Sequence, residues 1–115
     1  MIDADLIPQV AARFKALADE RRLALLSALQ KGEKSVGELA EQTGRPQPNV
    51  SQHLASLARA GLVASRRDGA RVLYRSADPY VERICDAVCA SLAARARGEK
   101  HTIEARRRRR AGGGR

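Results

Sequence analysis

The sequence predicts a mainly α-helical chain with one small β-hairpin. Two observations carry this reading. Apolar residues recur at helical spacing in successive stretches, and between residues 62 and 75 that spacing gives way to two β-prone runs around an Asp-Gly. From Asp3 to Ala18, Leu6, Ile7, Val10, Phe14 and Leu17 fall on one stripe of an amphipathic helix. Asp19 is placed to cap a second helix, whose core face is Leu25, Leu26 and Leu29 and which ends at Lys31-Gly32. Ser35-Val36-Gly37-Glu38 spells a capping box, so a short helix should run from 35 to 42. Thr43-Gly44-Arg45-Pro46 is a tight turn, because Gly44 tolerates left-handed geometry and Pro46 cannot continue a helix. The next helix, from about Gln47 to Ala60, points Val50, Leu54 and Leu57 inward and closes at Gly61. Leu62 to Arg66 and Arg71 to Arg75 then flank Arg67-Asp68-Gly69-Ala70, a hairpin signal. Asp78-Pro79 opens the last helix, on which Val81, Ile84, Val88 and Leu92 face one way until about Arg97.

Composition bounds what such a chain can do. At 115 residues there is room for one compact domain. The formal charge is +9, from 22 Lys and Arg against 13 Asp and Glu. Six of those cations lie in residues 106–115, which hold no acid, so only 16 face the 13 acids elsewhere. We therefore divide the chain into a folded part, 1–98, and a basic tail, 99–115, read as disordered. Three aromatic residues (Phe14, Tyr74, Tyr80) are too few for a single-strand stacking surface. There is no apolar run long enough for a membrane span and no signal-peptide pattern, and two cysteines make no disulfide framework. These features point to a cytoplasmic protein with reduced thiols. No phosphate-cradling Gly loop, paired carboxylates or Ser/His/Asp set suggests an enzyme.

Three helices, a tight turn, a helix, a hairpin and a helix make the order of a winged helix-turn-helix, with 35–42 and 47–60 as the DNA-reading pair. If Val50, Leu54 and Leu57 face the core, Pro48, Asn49, Gln52, Ala55 and Arg59 face outward with Ser51 on the flank. Amides pair with adenine edges and Ser is adaptable, so Gln47, Asn49, Ser51 and Gln52 form the candidate base-reading set. A solvated polar face is the competing explanation. Arg66, Arg67, Arg71 and Arg75 concentrate charge on the hairpin, where guanidinium groups can lie along phosphates or merely protect a sheet edge. Arg45 and Lys34 are weaker phosphate candidates. His53, at the rim of the core face, is read as a packing or hydrogen-bonding residue.

Motifs in order and spacing extend the reading. Ala16 to Leu23 (Ala-Leu-Ala-Asp-Glu-Arg-Arg-Leu), Val36 to Ala40, Pro48 to Leu54, Ala60 to Val63 and Arg66 to Gly69 resemble the ArsR/SmtB family of bacterial repressors, over about residues 10 to 92. The resemblance implies a homodimer held by its first and last helices that leaves double-stranded operator DNA on sensing a metal, metalloid or redox signal. This chain departs from it at several places. Pro46 stands where a Ser cap is usual, and Ser35-Val36-Gly37 carries no thiolate. In the last-helix zinc site, Asp78 is kept but Tyr80, Ser91 and Ala94 replace the other ligands. Ser27 replaces the first cysteine of the persulfide sensors.

What remains for sensing is Cys85 and Cys89, one helical turn apart on the last helix. They are the candidate ligands for a thiophilic metal or metalloid ion, four thiolates becoming available if a dimer brings two pairs together. Packing as small hydrophobes is the other reading of the same residues. A nucleoid-type DNA binder without an inducer is the alternative function. The stripes Leu6, Val10, Phe14, Leu17 and Ile84, Val88, Leu92 exceed what the small core can cover, which independently suggests a two-fold interface.

Overall fold

The computed structural model describes residues 1–98, so the expected basic tail at 99–115 lies outside the described residues. A 3₁₀ turn at Ala4–Leu6 leads into α1 (Ile7–Leu17), followed by α2 (Glu20–Leu29), β1 (Lys34–Ser35), α3 (Val36–Thr43) and α4 (Gln47–Arg59). Then come β2 (Val63–Asp68), β3 (Arg71–Ser76) and α5 (Pro79–Ala96). The backbone divides into two compact units, one ending at Pro79 and the other opening at Tyr80.

Local chemistry explains most boundaries. The first helix starts later than its apolar stripe because Pro8 occupies its first turn, where a missing N–H costs nothing, and Asp3 caps the 3₁₀ turn before it. Asp19 accepts from the backbone N–H groups of Arg21 and Arg22 at the start of α2, and Arg21 adds a guanidinium contact at 2.9 Å. That hydrogen bond from Arg21 is the main reason the Asp19 carboxyl lies far below the usual range. The capping box of α3 is complete: Glu38 N–H donates to Ser35 Oγ at 3.2 Å, and Ser35 N–H donates to Glu38 Oε1 at 3.0 Å. Gly44 ends α3 at φ +70°, a left-handed conformation that a side chain would strain.

Leu25, Leu39, Val50, Leu54, Leu57 and Leu62 are completely buried or nearly so, with Leu26, Leu29, Val63 and Leu73 around them. This core fixes α4 against α2 and α3. Leu17 is the buried residue of α1, and Arg13 donates to the Asp78 carboxylate, tying α1 to the segment after β3.

The sheet corrects the expected two-stranded hairpin. It has three antiparallel strands in the order β1-β3-β2, with Lys34 opposite Tyr74 and Ser35 opposite Leu73. The β2–β3 turn is also tighter than the sequence suggests. Asp68 pairs with Arg71, leaving only Gly69-Ala70 as the loop, with Gly69 at φ +63°. Gly at the first central position of a two-residue loop matches the twist of the strands, so Arg67 and Asp68 join β2 rather than the turn.

Of the apolar stripes, Leu6, Ile7 and Phe14 are exposed and Val10 is half-buried. On α5, Val81 is buried, Ile84 is half-buried, and Val88 and Leu92 are exposed.

Candidate nucleic-acid interface

Helix α4 buries Val50, His53, Leu54 and Leu57. His53 was the rim residue of the sequence pattern, and its burial widens the inward sector. Asn49 sits one turn before His53 on the same side, which explains why it is half-buried with its Oδ1 enclosed and without a hydrogen-bond partner. It is therefore not the freely outward residue that the spacing suggests. Gln47, Pro48, Ser51, Gln52, Ala55 and Arg59 are exposed, as expected. The structure thus gathers Gln47, Ser51 and Gln52 on the outer face of α4 and leaves Asn49 at its margin. Gln47 lies over the first turn of α3, its Nε2 within 3.6 Å of where a Gly37 side chain would begin.

The cations around this face are not equivalent. Arg45, in the turn between α3 and α4, is half-buried with its Nε enclosed and unpartnered. It lines an open groove with Lys31, Ser27 and Thr43. On the wing, Arg66 is held by Glu33 in a forked pair, with Nε to Oε2 at 2.8 Å and Nη2 to Oε1 at 2.9 Å. This contact drives the Glu33 carboxyl below its ordinary pKa. Arg71 reaches Glu38 at 3.5 Å and Asp68 at 4.0 Å. Among the described residues, Arg67 makes no ion pair. The wing arginines therefore differ in their surroundings: Arg66 and Arg71 have acidic partners, and Arg67 has no ion-pair partner among the described residues. Sequence reasoning missed Glu33 altogether, since its partner lies 33 positions away and only the sheet register brings them together.

Cys85 is half-buried and Cys89 exposed, both as free thiols on α5. Burial is the main cause that pushes the Cys85 thiol above its ordinary pKa, with the neighbouring Cys89 and Asp86 adding to it. No cluster of three or more His, Cys, Asp or Glu able to hold a metal occurs among the described residues. The pair therefore offers two sulfur ligands per chain.

A helix pair of α3 and α4 joined by a left-handed glycine turn, with a three-stranded sheet beside it, defines a winged helix-turn-helix protein. Residues 19–65 match the model of the arsR family of bacterial regulatory proteins. The chain is 47% identical over 85 residues to the HTH-type transcriptional regulator KmtR of Mycobacterium tuberculosis, covering 73% of this chain and 65% of that protein. It is 45% identical over 75 residues to the "Probable mercury resistance operon repressor" of Streptomyces lividans, covering 64% of this chain and 60% of the relative. The chain thus spans somewhat under two thirds of the length of these two relatives. Among solved structures, it is similar to the homodimeric winged helix-turn-helix DNA-binding domain of a possible ArsR-family transcriptional regulator from Mycobacterium bovis. That match has a TM-score of 0.73 and 39% identity, and covers 81% of this chain and 86% of the other. This chain belongs to the arsR family of bacterial regulatory proteins.

Proposed function

We propose that the protein is a cytoplasmic, sequence-specific repressor that binds double-stranded operator DNA as a homodimer and leaves it when a small thiophilic signal binds. The observation that carries DNA reading is the outer face of α4: Gln47, Ser51 and Gln52 stand exposed on a helix whose opposite side is anchored by fully buried Val50, Leu54 and Leu57. A rigid helix presenting amide and hydroxyl groups beside a cationic wing suits major-groove readout. The homodimer is supported by exposed Leu6, Ile7 and Phe14 on the N-terminal segment and Val88 and Leu92 on α5, and by the homodimeric relative. The signal is supported by Cys85 and Cys89 one turn apart and by the relative named for mercury resistance.

Selection of bound duplexes from a random pool, followed by titration at fixed salt, tests the reading. One preferred site with two half-sites about one DNA turn apart is expected. Gln52→Ala and Ser51→Ala should each weaken that site by roughly 1–3 kcal/mol while sparing random DNA. Equal affinity for every duplex would favour the nucleoid-type alternative. A folded monomer at micromolar concentration in sedimentation would overturn the homodimer.

A further inference from the structure

Toward its tip the wing sorts its cations by face. Residues directly opposite each other in an antiparallel pair point to the same side, and successive residues alternate. Arg66 is opposite Leu73, and Asp68 is opposite Arg71. One face therefore carries Arg66 and Arg71 beside the buried Leu73, while the other carries Arg67 toward the tip and the buried Val63 at its base. Arg67, opposite Val72, projects from the other face and is exposed. The acids meet only the first face. Glu33 occupies the Nε–Nη2 edge of the Arg66 guanidinium through three hydrogen bonds of 2.8 to 3.1 Å. Glu38 draws Arg71 from the start of α3.

Glu33 fills the Nε–Nη2 edge of Arg66 and offsets its charge, so its remaining Nη1 side attracts a phosphate more weakly than the unpaired Arg67 does. An exposed pair of this kind contributes little stability by itself, so its effect here is on the charge that Arg66 presents. Of the two adjacent arginines, then, one is a strut between the wing and the residue preceding β1, and the other is a free cation. Resting on the DNA-binding reading above, we infer that Arg67 makes the wing's phosphate contact and that Glu33 is a positioning residue that withholds Arg66 from DNA.

The salt dependence of DNA affinity for the full chain tests this, because its slope counts neutralised phosphates. Arg67→Gln should lower the log–log slope by about 0.9 per protomer, which over a fourfold salt range is roughly a threefold change in affinity per wing. Arg66→Gln should leave the slope at the wild-type value. Glu33→Gln, by freeing Arg66, should raise it by up to a similar amount, and the double variant Glu33→Gln, Arg66→Gln should return it to wild type. Glu33→Asp, which keeps the carboxylate, should leave it unchanged. The inference is overturned if Arg66→Gln lowers the slope as much as Arg67→Gln, or if Glu33→Gln does not move it. Binding all duplexes equally would sink the operator reading alone, since phosphate counting needs no sequence preference. Failure to bind any duplex would sink both.

Discussion

Replacing Ser35 with alanine removes the hydroxyl that receives the Glu38 N–H at 3.2 Å, while Glu38 can still receive the Ser35 N–H. One of two reciprocal bonds is lost. The site is exposed, so water replaces the hydroxyl and the freed N–H does not bear the full cost of a buried orphan. The expected destabilisation is therefore in the middle of the range for N-caps, about 1 kcal/mol. Because α3 has only eight residues, it has little propagation to offset a frayed first turn, and its Leu39 is fully buried. For a domain of this size about 1 kcal/mol corresponds to a melting temperature lower by roughly 4–8 °C. Glu38→Gln is the internal control: Gln still closes the box but loses its charge toward Arg71, an exposed and solvent-screened pair that contributes little. Circular-dichroism melts at one fixed protein concentration measure both variants, since a dimer's midpoint shifts with concentration. An unchanged midpoint for Ser35→Ala, or a larger loss for Glu38→Gln than for Ser35→Ala, would refute the argument that the cap sets the entry to α3.

Acid should destabilise the fold in a defined direction. Asp19, Glu33 and Glu38 are all held below their ordinary values of 3.8 and 4.5, by Arg21, by Arg66 and by the Ser35 backbone N–H respectively. Groups depressed in the folded state stabilise it above their unfolded pKa, and that stability is lost as the pH falls through the lower folded values. The denaturant midpoint should therefore hold steady down to about pH 5 and then decline, less steeply in Glu33→Gln; a midpoint rising on acidification would contradict the assignment. For the thiols, Cys89 should alkylate before Cys85 at neutral pH, because Cys85 is half-buried with a raised pKa. The Cys85→Ser, Cys89→Ser double variant should bind operator but no longer release it with thiophilic ions, and an unaltered response would make the cysteines packing residues.

The helices were legible in the sequence because their signals are local. Apolar spacing marked the faces that bury Leu25, Leu54 and Leu57, and the capping box and Gly44 announced their geometry within four residues. What escaped was set by distant partners. Lys34-Ser35 is too short to show a strand period and is a strand only because β3 lies beside it. Nothing near Arg66 in the sequence names Glu33 as its partner, so the wing arginines looked alike until the register separated them. On α4, three apolar residues defined the inward face and His53, read as a packing residue at its rim, is buried; what the pattern did not show is that Asn49, one turn earlier, is drawn half inward with it.

The central position of β3 also bears on how the chain acquires its fold. A hairpin with a two-residue loop closes within microseconds but is marginal in water alone. Its third strand comes from residue 34, forty positions before its partner Tyr74, so that pairing must close a long loop through α3 and α4. The pairing of Ser35 with Leu73 thus joins the residue that starts α3 to the middle of the wing. Sheet completion and helix entry become one cooperative event in folding, and the backbone amides at this junction should exchange with solvent only when the helix-turn-helix itself opens.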